Sequence, residues 1–214
     1  MKLVIGNKNY SSWSLRPWLL MRACDIPFEE VLIPLYEADS KARQLSFSPA
    51  GKVPTLIDGD RAVWDSLAIA ETLAERFPDR GLWPADAGTR AHARSVTAEM
   101  HSGFSALRTH MPMNLHGRHP GKGQTPEVLA DIARITAIWS ECLAQYGGPF
   151  LFGRFGIADA FYAPVVTRLV TYGVELPPDC ARYRDTLLAL PAMREWITAG
   201  LAETVRIPMS EIYN

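Results

Sequence analysis

Hydrophobic positions along this chain change their spacing near residue 80. Before it, short apolar runs alternate with helical spacing. "KLVI" (2–5) and "EEVLIPL" (29–35) read as strands. Between them Leu15, Trp18 and Leu19 fall on one face of a helix predicted from about Ser14 to Cys24. Pro17 is tolerated there, because amides of a first helical turn have no intrahelical acceptor. A second helix is expected over about 39–47. "VPTLIDGDRAVWD" (53–65) predicts two strands joined by an Asp58-Gly59 hairpin turn, and Ser66 opens a third helix that stops before Pro78. The order βαβαββα implies a mixed sheet with helices on its faces.

"PDRGLWPADAG" (78–88) is rich in turn residues and reads as a linker. Beyond it strand patterns vanish. Helical periodicity occupies about 89–112, 126–146, 157–172, 181–189 and 192–204, with a loop at 116–126. The expected layout is an α/β domain over 1–78, a linker over 79–88 and an all-helical domain over 89–214.

Composition narrows the function classes. Net charge is −1 and the pI is near 6.5, so no electrostatic field favours nucleic acid or an anionic membrane. No run suits a signal peptide or a bilayer span. Cys24, Cys142 and Cys180 form no C-x-x-C pair, and reduced thiols in a cytoplasmic protein are expected.

Three stretches carry candidate chemistry. "NYSSWSLRPWLL" (9–20) gathers Ser11, Ser12 and Ser14 at a strand–helix junction, where one hydroxyl caps the helix and another can be reserved for a ligand. "SPAGKVPTL" (48–56) starts a strand at Val53-Pro54. A cis bond there would turn Val53's N–H and C=O outward to pair with an extended peptide, whereas the plainer reading is an edge strand beginning with proline. "WDSLAIAETL" (64–73) puts Asp65 and Ser66 at a helix start, where free amides suit a carboxylate and Asp65 an ammonium. Simple capping accounts for that pair about as well.

In this order on one βαβαββα unit, the three stretches resemble the glutathione S-transferase family, whose N-terminal domain is thioredoxin-like and whose second domain is all helical. "FLFGRFGIADAFYAPVVTR" (150–168) and "LPAMREWITAG" (190–200) are similar to its helix-capping segment and terminal helix. "SSWSLRP" looks most like the zeta-type segment. The resemblance implies a glutathione-dependent transferase with Ser11 as the thiol-stabilising serine, five residues before Arg16, and Ser12 as a neighbouring hydroxyl. It further implies that Lys52 contacts the glycyl end of glutathione, that Val53, ahead of Pro54, pairs with its cysteinyl backbone, and that Asp65 and Ser66 hold the γ-glutamyl group. A homodimer is implied as well. Tyr10 is the rival thiol donor. Three positions depart from the family: Trp13 stands where zeta-type relatives carry cysteine, Asp65 is one methylene shorter than the usual Glu or Gln, and Gly156 replaces a Ser/Thr cap ahead of Asp159.

A hydrophobic electrophile is expected beside Phe104, Arg108 and Met111, from "EMHSGFSALRTHMPMN" (99–114), with Arg108 able to orient an anionic group. For Met100 and Phe104 a place in the core is the better expectation, and Arg108 has a salt bridge as its plainer role. All five histidines lie between His92 and His119, yet on one helix His92 and His110 share a face while His101 points away. No metal is expected. Two other functions compete: a zeta-like cis–trans isomerase of an unsaturated diacid, and a non-catalytic interaction module of the same fold.

Overall fold

A computed structural model describes residues 1–213. Strand β1 (Lys2–Ile5) lies inside a four-stranded sheet of order β2-β1-β3-β4, parallel to β2 (Glu29–Leu32) and antiparallel to β3 (Thr55–Asp58), which pairs antiparallel with β4 (Arg61–Trp64). Leu3, Val4 and Ile5 are all buried, as a strand covered on both faces requires. Strand β2 is shorter than the apolar run 29–35 predicts. Ile33 still donates to Ile5 O at 2.9 Å, but Pro34 has no amide to continue the ladder. The hairpin turns at Gly59-Asp60, and Gly59 takes φ +60°, a conformation that costs glycine little.

Helix α1 (Ser12–Ala23) is buried along almost its whole length, because it packs against α3 (Ser66–Arg76) on its own side and against two helices of the second half. Those are α7 (Ile157–Thr171) and α9 (Pro191–Ala202). Its buried polar side chains, Ser12, Ser14 and Arg16, are accordingly hydrogen-bonded. Helix α2 (Ser40–Phe47) completes the α/β part. The helical part is α4 (Ala87–Ser102), α5 (Ser105–His110), α6 (Pro126–Tyr146), α7, α8 (Pro178–Ala189) and α9.

The helix expected over 89–112 is broken in two. Gly103 is extended, and a Cβ there would stand 2.8 Å from Glu99 O. Phe104 follows at φ +59° and α5 restarts in a new direction. His92 and His110 are therefore on different helices, which removes the shared face expected of them. The apolar spacing runs through the break, so periodicity conceals it.

Asp159 anchors the start of α7. It accepts from Leu151 N (3.1 Å), Gly156 N (3.0 Å) and the Tyr183 hydroxyl (3.0 Å). Burial pushes its carboxyl up to about 7, against the pull of those donors. Gly156 is explained by space, since a Cβ would meet Leu82 O at 2.8 Å. Cys24, Cys142 and Cys180 are free thiols; burial raises Cys24 to about 11 and Cys142 to about 12. Among the described residues no helix is long and apolar enough to cross a membrane.

Candidate active site

Residues 6–11, between β1 and α1, are clamped from several distant segments. Asn9 Oδ1 accepts from Leu115 N at 2.6 Å and His116 N at 3.2 Å. The Glu203 carboxylate accepts from Lys8 N at 2.7 Å and Asn9 N at 3.1 Å. Tyr10 donates its phenol proton to Glu211 at 2.5 Å; burial, and then that contact, hold the phenol above its ordinary pKa.

The serines divide their work. Ser11 is the N-cap of α1: its hydroxyl accepts from Ser14 N at 3.4 Å and donates to Ser14 Oγ at 2.7 Å. Ser14 in turn accepts from Gly6 N at 3.1 Å, so it ties the cap to the sheet. Ser12, the first residue of the helix, accepts from Arg168 Nη2 at 3.2 Å. Ser11 and Ser12 both line a cavity of 670 Å³.

A second cavity, of 570 Å³, is lined by Lys52, Val53, Pro54, Asp65 and Ser66 among others. Trp13, Lys52 and Val53 line both cavities, so the two are compartments of one cleft. The Val53-Pro54 bond is cis. Strand β3 begins only at Thr55, and among the described residues no hydrogen bond engages the N–H or C=O of Val53. A short stretch of strand edge is thereby open toward the cleft.

Asp65 caps α3 by accepting from Leu67 N at 2.8 Å, yet its backbone sits at φ +74°. For a residue with a side chain that conformation costs on the order of 1–3 kcal/mol, and such strain concentrates at ligand clamps. The other carboxylate oxygen lies 3.4 Å from His101 Nε2. His101 Nδ1 is 3.4 Å from Arg16 Nη1, which can only donate, so the ring proton belongs on Nε2, facing Asp65. Arg16 also donates to Ser66 Oγ at 3.4 Å. Ser66 is buried beneath the exposed Asp65.

The walls are cationic. Trp13, 37 % exposed, has the Arg16 guanidinium 4.2 Å and the Arg108 guanidinium 4.9 Å from its ring centroid. Arg108 donates to Gly103 O at 3.0 Å and to Met100 O, which satisfies carbonyls that the break after α4 leaves free. Among the described residues no salt bridge holds it. Burial, followed by the other two cations, pushes Arg16 well below its ordinary pKa. Burial and Arg108 bring Arg168 down to about 9.

Of the residues expected at the site, Ser11, Ser12, Lys52, Val53, Pro54, Asp65, Ser66 and Arg108 line the cleft. Phe104 and Met111 do not: both are buried in the core with Met100, as apolar side chains at helical spacing commonly are. His101 and Arg168 were not singled out. A lone arginine in the apolar run "FYAPVVTRLV" was a legible signal for Arg168, whereas nothing local marks His101. Among the described residues no three His, Cys, Asp or Glu side chains gather to hold a metal ion.

Residues 10–76 match the family described as glutathione S-transferase, N-terminal domain, and residues 90–199 match glutathione S-transferase, C-terminal domain. The chain is 30% identical over 185 residues to a probable maleylacetoacetate isomerase of Caenorhabditis elegans, covering 85% of each. It is 27% identical over 213 residues to a maleylacetoacetate isomerase of Pseudomonas aeruginosa, covering 95% of this chain and 99% of that one. A solved glutathione transferase homolog from Burkholderia, with bound glutathione, superposes with a TM-score of 0.72 at 25% identity, covering 94% of this chain and 98% of that one.

Proposed function

The chain belongs to the glutathione S-transferase family, and from that premise we propose that it binds glutathione in the 570 Å³ compartment, ionises its thiol at the start of α1 and delivers the sulfur to an electrophile in the 670 Å³ compartment. One observation carries the reading: the unpaired backbone of Val53 lies in one compartment with Asp65 and Ser66. A γ-glutamyl-cysteinyl-glycine peptide uses each part. Its extended cysteinyl unit pairs with Val53, its ammonium meets Asp65, its α-carboxylate meets Ser66 and the first amides of α3, and Lys52 neutralises the glycyl carboxylate. A division into two domains joined near residues 79–88 suits this arrangement, with the peptide held by the α/β part and the electrophile facing the helices.

Ionisation is the chemical step that the protein must assist. A thiol with an unperturbed pKa of about 8.5 is roughly 3% thiolate at pH 7. A serine hydroxyl donated to sulfur, at a helix N-terminus and beside buried arginines, favours the anion. The thiolate then attacks an electrophilic carbon, the S–C bond forms and the leaving group departs with its electron pair.

A second reading is favoured by Arg108 and Arg168, which both line the larger compartment. A cationic wall suits an unsaturated diacid, so an isomerase is the alternative. There the thiolate adds across the double bond, the new single bond rotates and the same thiolate is expelled, leaving glutathione unchanged. A ligand-free interaction module has no use for an open Val53 edge beside a strained Asp65. Two-fold homodimerisation is part of the transferase reading, and sedimentation at micromolar concentration giving a monomer removes it.

Isothermal titration with glutathione tests the core of this proposal, with a dissociation constant expected between micromolar and millimolar. No heat at millimolar glutathione sinks it. A panel of aryl halides and cis-unsaturated diacids then separates conjugation from isomerisation.

A further inference from the structure

Four hydroxyls cluster at the start of α1; two have donated their protons elsewhere and a third lies outside the cavity. Tyr10 donates to Glu211. Ser11 donates to Ser14 Oγ and accepts from the Ser14 amide, while Ser14 accepts from the Gly6 amide inside the core. Ser12 differs from Tyr10 and Ser11 in keeping its proton, and from the fully buried Ser14, which also only accepts, in lining the 670 Å³ cavity. Its hydroxyl oxygen accepts from Arg168, and its own proton has no acceptor among the described residues. A hydroxyl polarised by a cation in this way is the stronger donor to a third group.

Arg168 supplies the second observation. It is 4 % exposed on α7, and its other donors go to Met111 O at 2.9 Å and Pro164 O at 3.1 Å. Among the described residues no carboxylate forms an ion pair with it. Buried charges are normally paired, because an uncompensated ion loses its hydration for nothing in return. The charged neighbours only sharpen the deficit. Arg16 on α1 and Arg108 on α5 are cations, Tyr172, just past the end of α7, is a neutral phenol, and the rest of the cavity is lined by Lys41 and Lys52 as well as Glu37. Such a group is completed by an anion placed beyond Ser12, in the cavity that Ser12 and Arg168 both line.

We propose that Ser12, rather than Ser11, donates the hydrogen bond that stabilises the glutathione thiolate, and that Arg168 is its positioning residue. The assignment rests on the transferase reading above. No bond to Ser12 forms or breaks: the thiol proton leaves to solvent through the open cleft, and Ser12 keeps its own. The donor thus comes from the α/β part and its polarising charge from the helical part. The amides of the first turn of α1 add their dipole in the same direction.

Thiolate absorbance in the ultraviolet, followed against pH with glutathione bound, tests this directly. Ser12→Ala is expected to lower the thiolate fraction at pH 7 about tenfold or more, with affinity for glutathione at low pH, where the thiol is neutral, changed by less than about threefold. Ser11→Ala should unfold more easily yet titrate like the parent. Arg168→Gln should displace the titration as Ser12→Ala does, and Arg168→Lys should restore part of it. In a Ser12→Ala background Arg168→Gln should add little, since both act on one contact. If Arg168→Gln does not fold, Ser12→Ala and Arg168→Lys still decide the matter. A Ser12→Ala protein that titrates like the parent, or a tenfold loss in Ser11→Ala, overturns the assignment. A parent that fails to bind glutathione removes the transferase reading and this inference together; a parent that binds and ionises it leaves the inference to stand or fall by the variants alone.

Discussion

Tyr10 and Glu211, 201 residues apart in sequence, are joined by a hydrogen bond of 2.5 Å. The contact fastens the segment after α9 onto the residue that precedes the serine cluster, and Arg206 braces the same carboxylate at 2.8 Å. Tyr10→Phe should therefore cost about 1.5–3 kcal/mol, the range for a hydrogen bond to a charged group. Faster amide exchange confined to residues 206–213 is the expected signature. The thiolate titration should not move, and a displaced curve would make the phenol the donor.

Ser11→Ala removes the cap of α1 and should lower stability by about 1 kcal/mol. Ser14→Ala should cost about 1–3 kcal/mol, because it leaves the buried Gly6 amide without an acceptor. Urea midpoints of the two variants, compared at constant slope, check the order.

Two substitutions at Asp65 separate binding from backbone strain. Asp65→Ala should weaken glutathione binding by about 1–3 kcal/mol through loss of a charge-assisted contact. Asp65→Gly should weaken it equally, but glycine relieves the φ of +74° while costing only a few tenths of a kcal/mol as a cap. Glycine should consequently be the more stable variant in thermal melts, and the reverse order would show that the backbone there is unstrained.

His101 predicts an acid limb in stability. Burial holds its pKa below the ordinary 6.5, helped by Arg16 and Arg108 and opposed by Asp65. The unfolded chain therefore takes up its proton first, and the contribution of His101 to stability falls as pH drops from about 6.5 toward the folded-state value, while Asp159, held up at about 7, takes up its proton first in the folded chain and contributes the opposite slope. Asp86, Glu99, Glu127 and Asp179 are held below their ordinary values, so their contributions fade only at still lower pH. His101→Asn should leave the Asp159 contribution unopposed, so that between about pH 6.5 and 5 the variant gains stability relative to the parent in chemical denaturation. An unchanged slope would locate the limb elsewhere.

Local chemistry was legible and long-range chemistry was not. Membership in the glutathione S-transferase family, and an α/β part followed by a helical part, follow from ordered motifs that each depend on neighbouring residues. Val53-Pro54 and Asp65-Ser66 are of that kind, since a strand start and a helix start announce themselves within a few positions. The length of β2 was overestimated because apolar character continues past Pro34 while hydrogen bonding cannot. The break at Gly103-Phe104 escaped because hydrophobic spacing measures burial and says nothing of backbone direction. Ser12 meets Arg168 across 156 residues and Asp65 meets His101 across the domain boundary, so neither contact has a local trace.

Glu203 reaches back to the amides of Lys8 and Asn9, and a Cβ on Gly200 would stand 3.2 Å from Asn9 N. The last helix is in this way built into the loop that presents the serines. The thioredoxin-like half is accordingly not a portable cassette. Grafted onto another helical partner, or expressed without residues 200–211, it would keep every side chain of the 570 Å³ compartment and lose the scaffold that orients Tyr10 through Ser12. Chimaeras among relatives of this protein should be cut outside these supports, with the N-terminal loop and the C-terminal helix inherited from one parent.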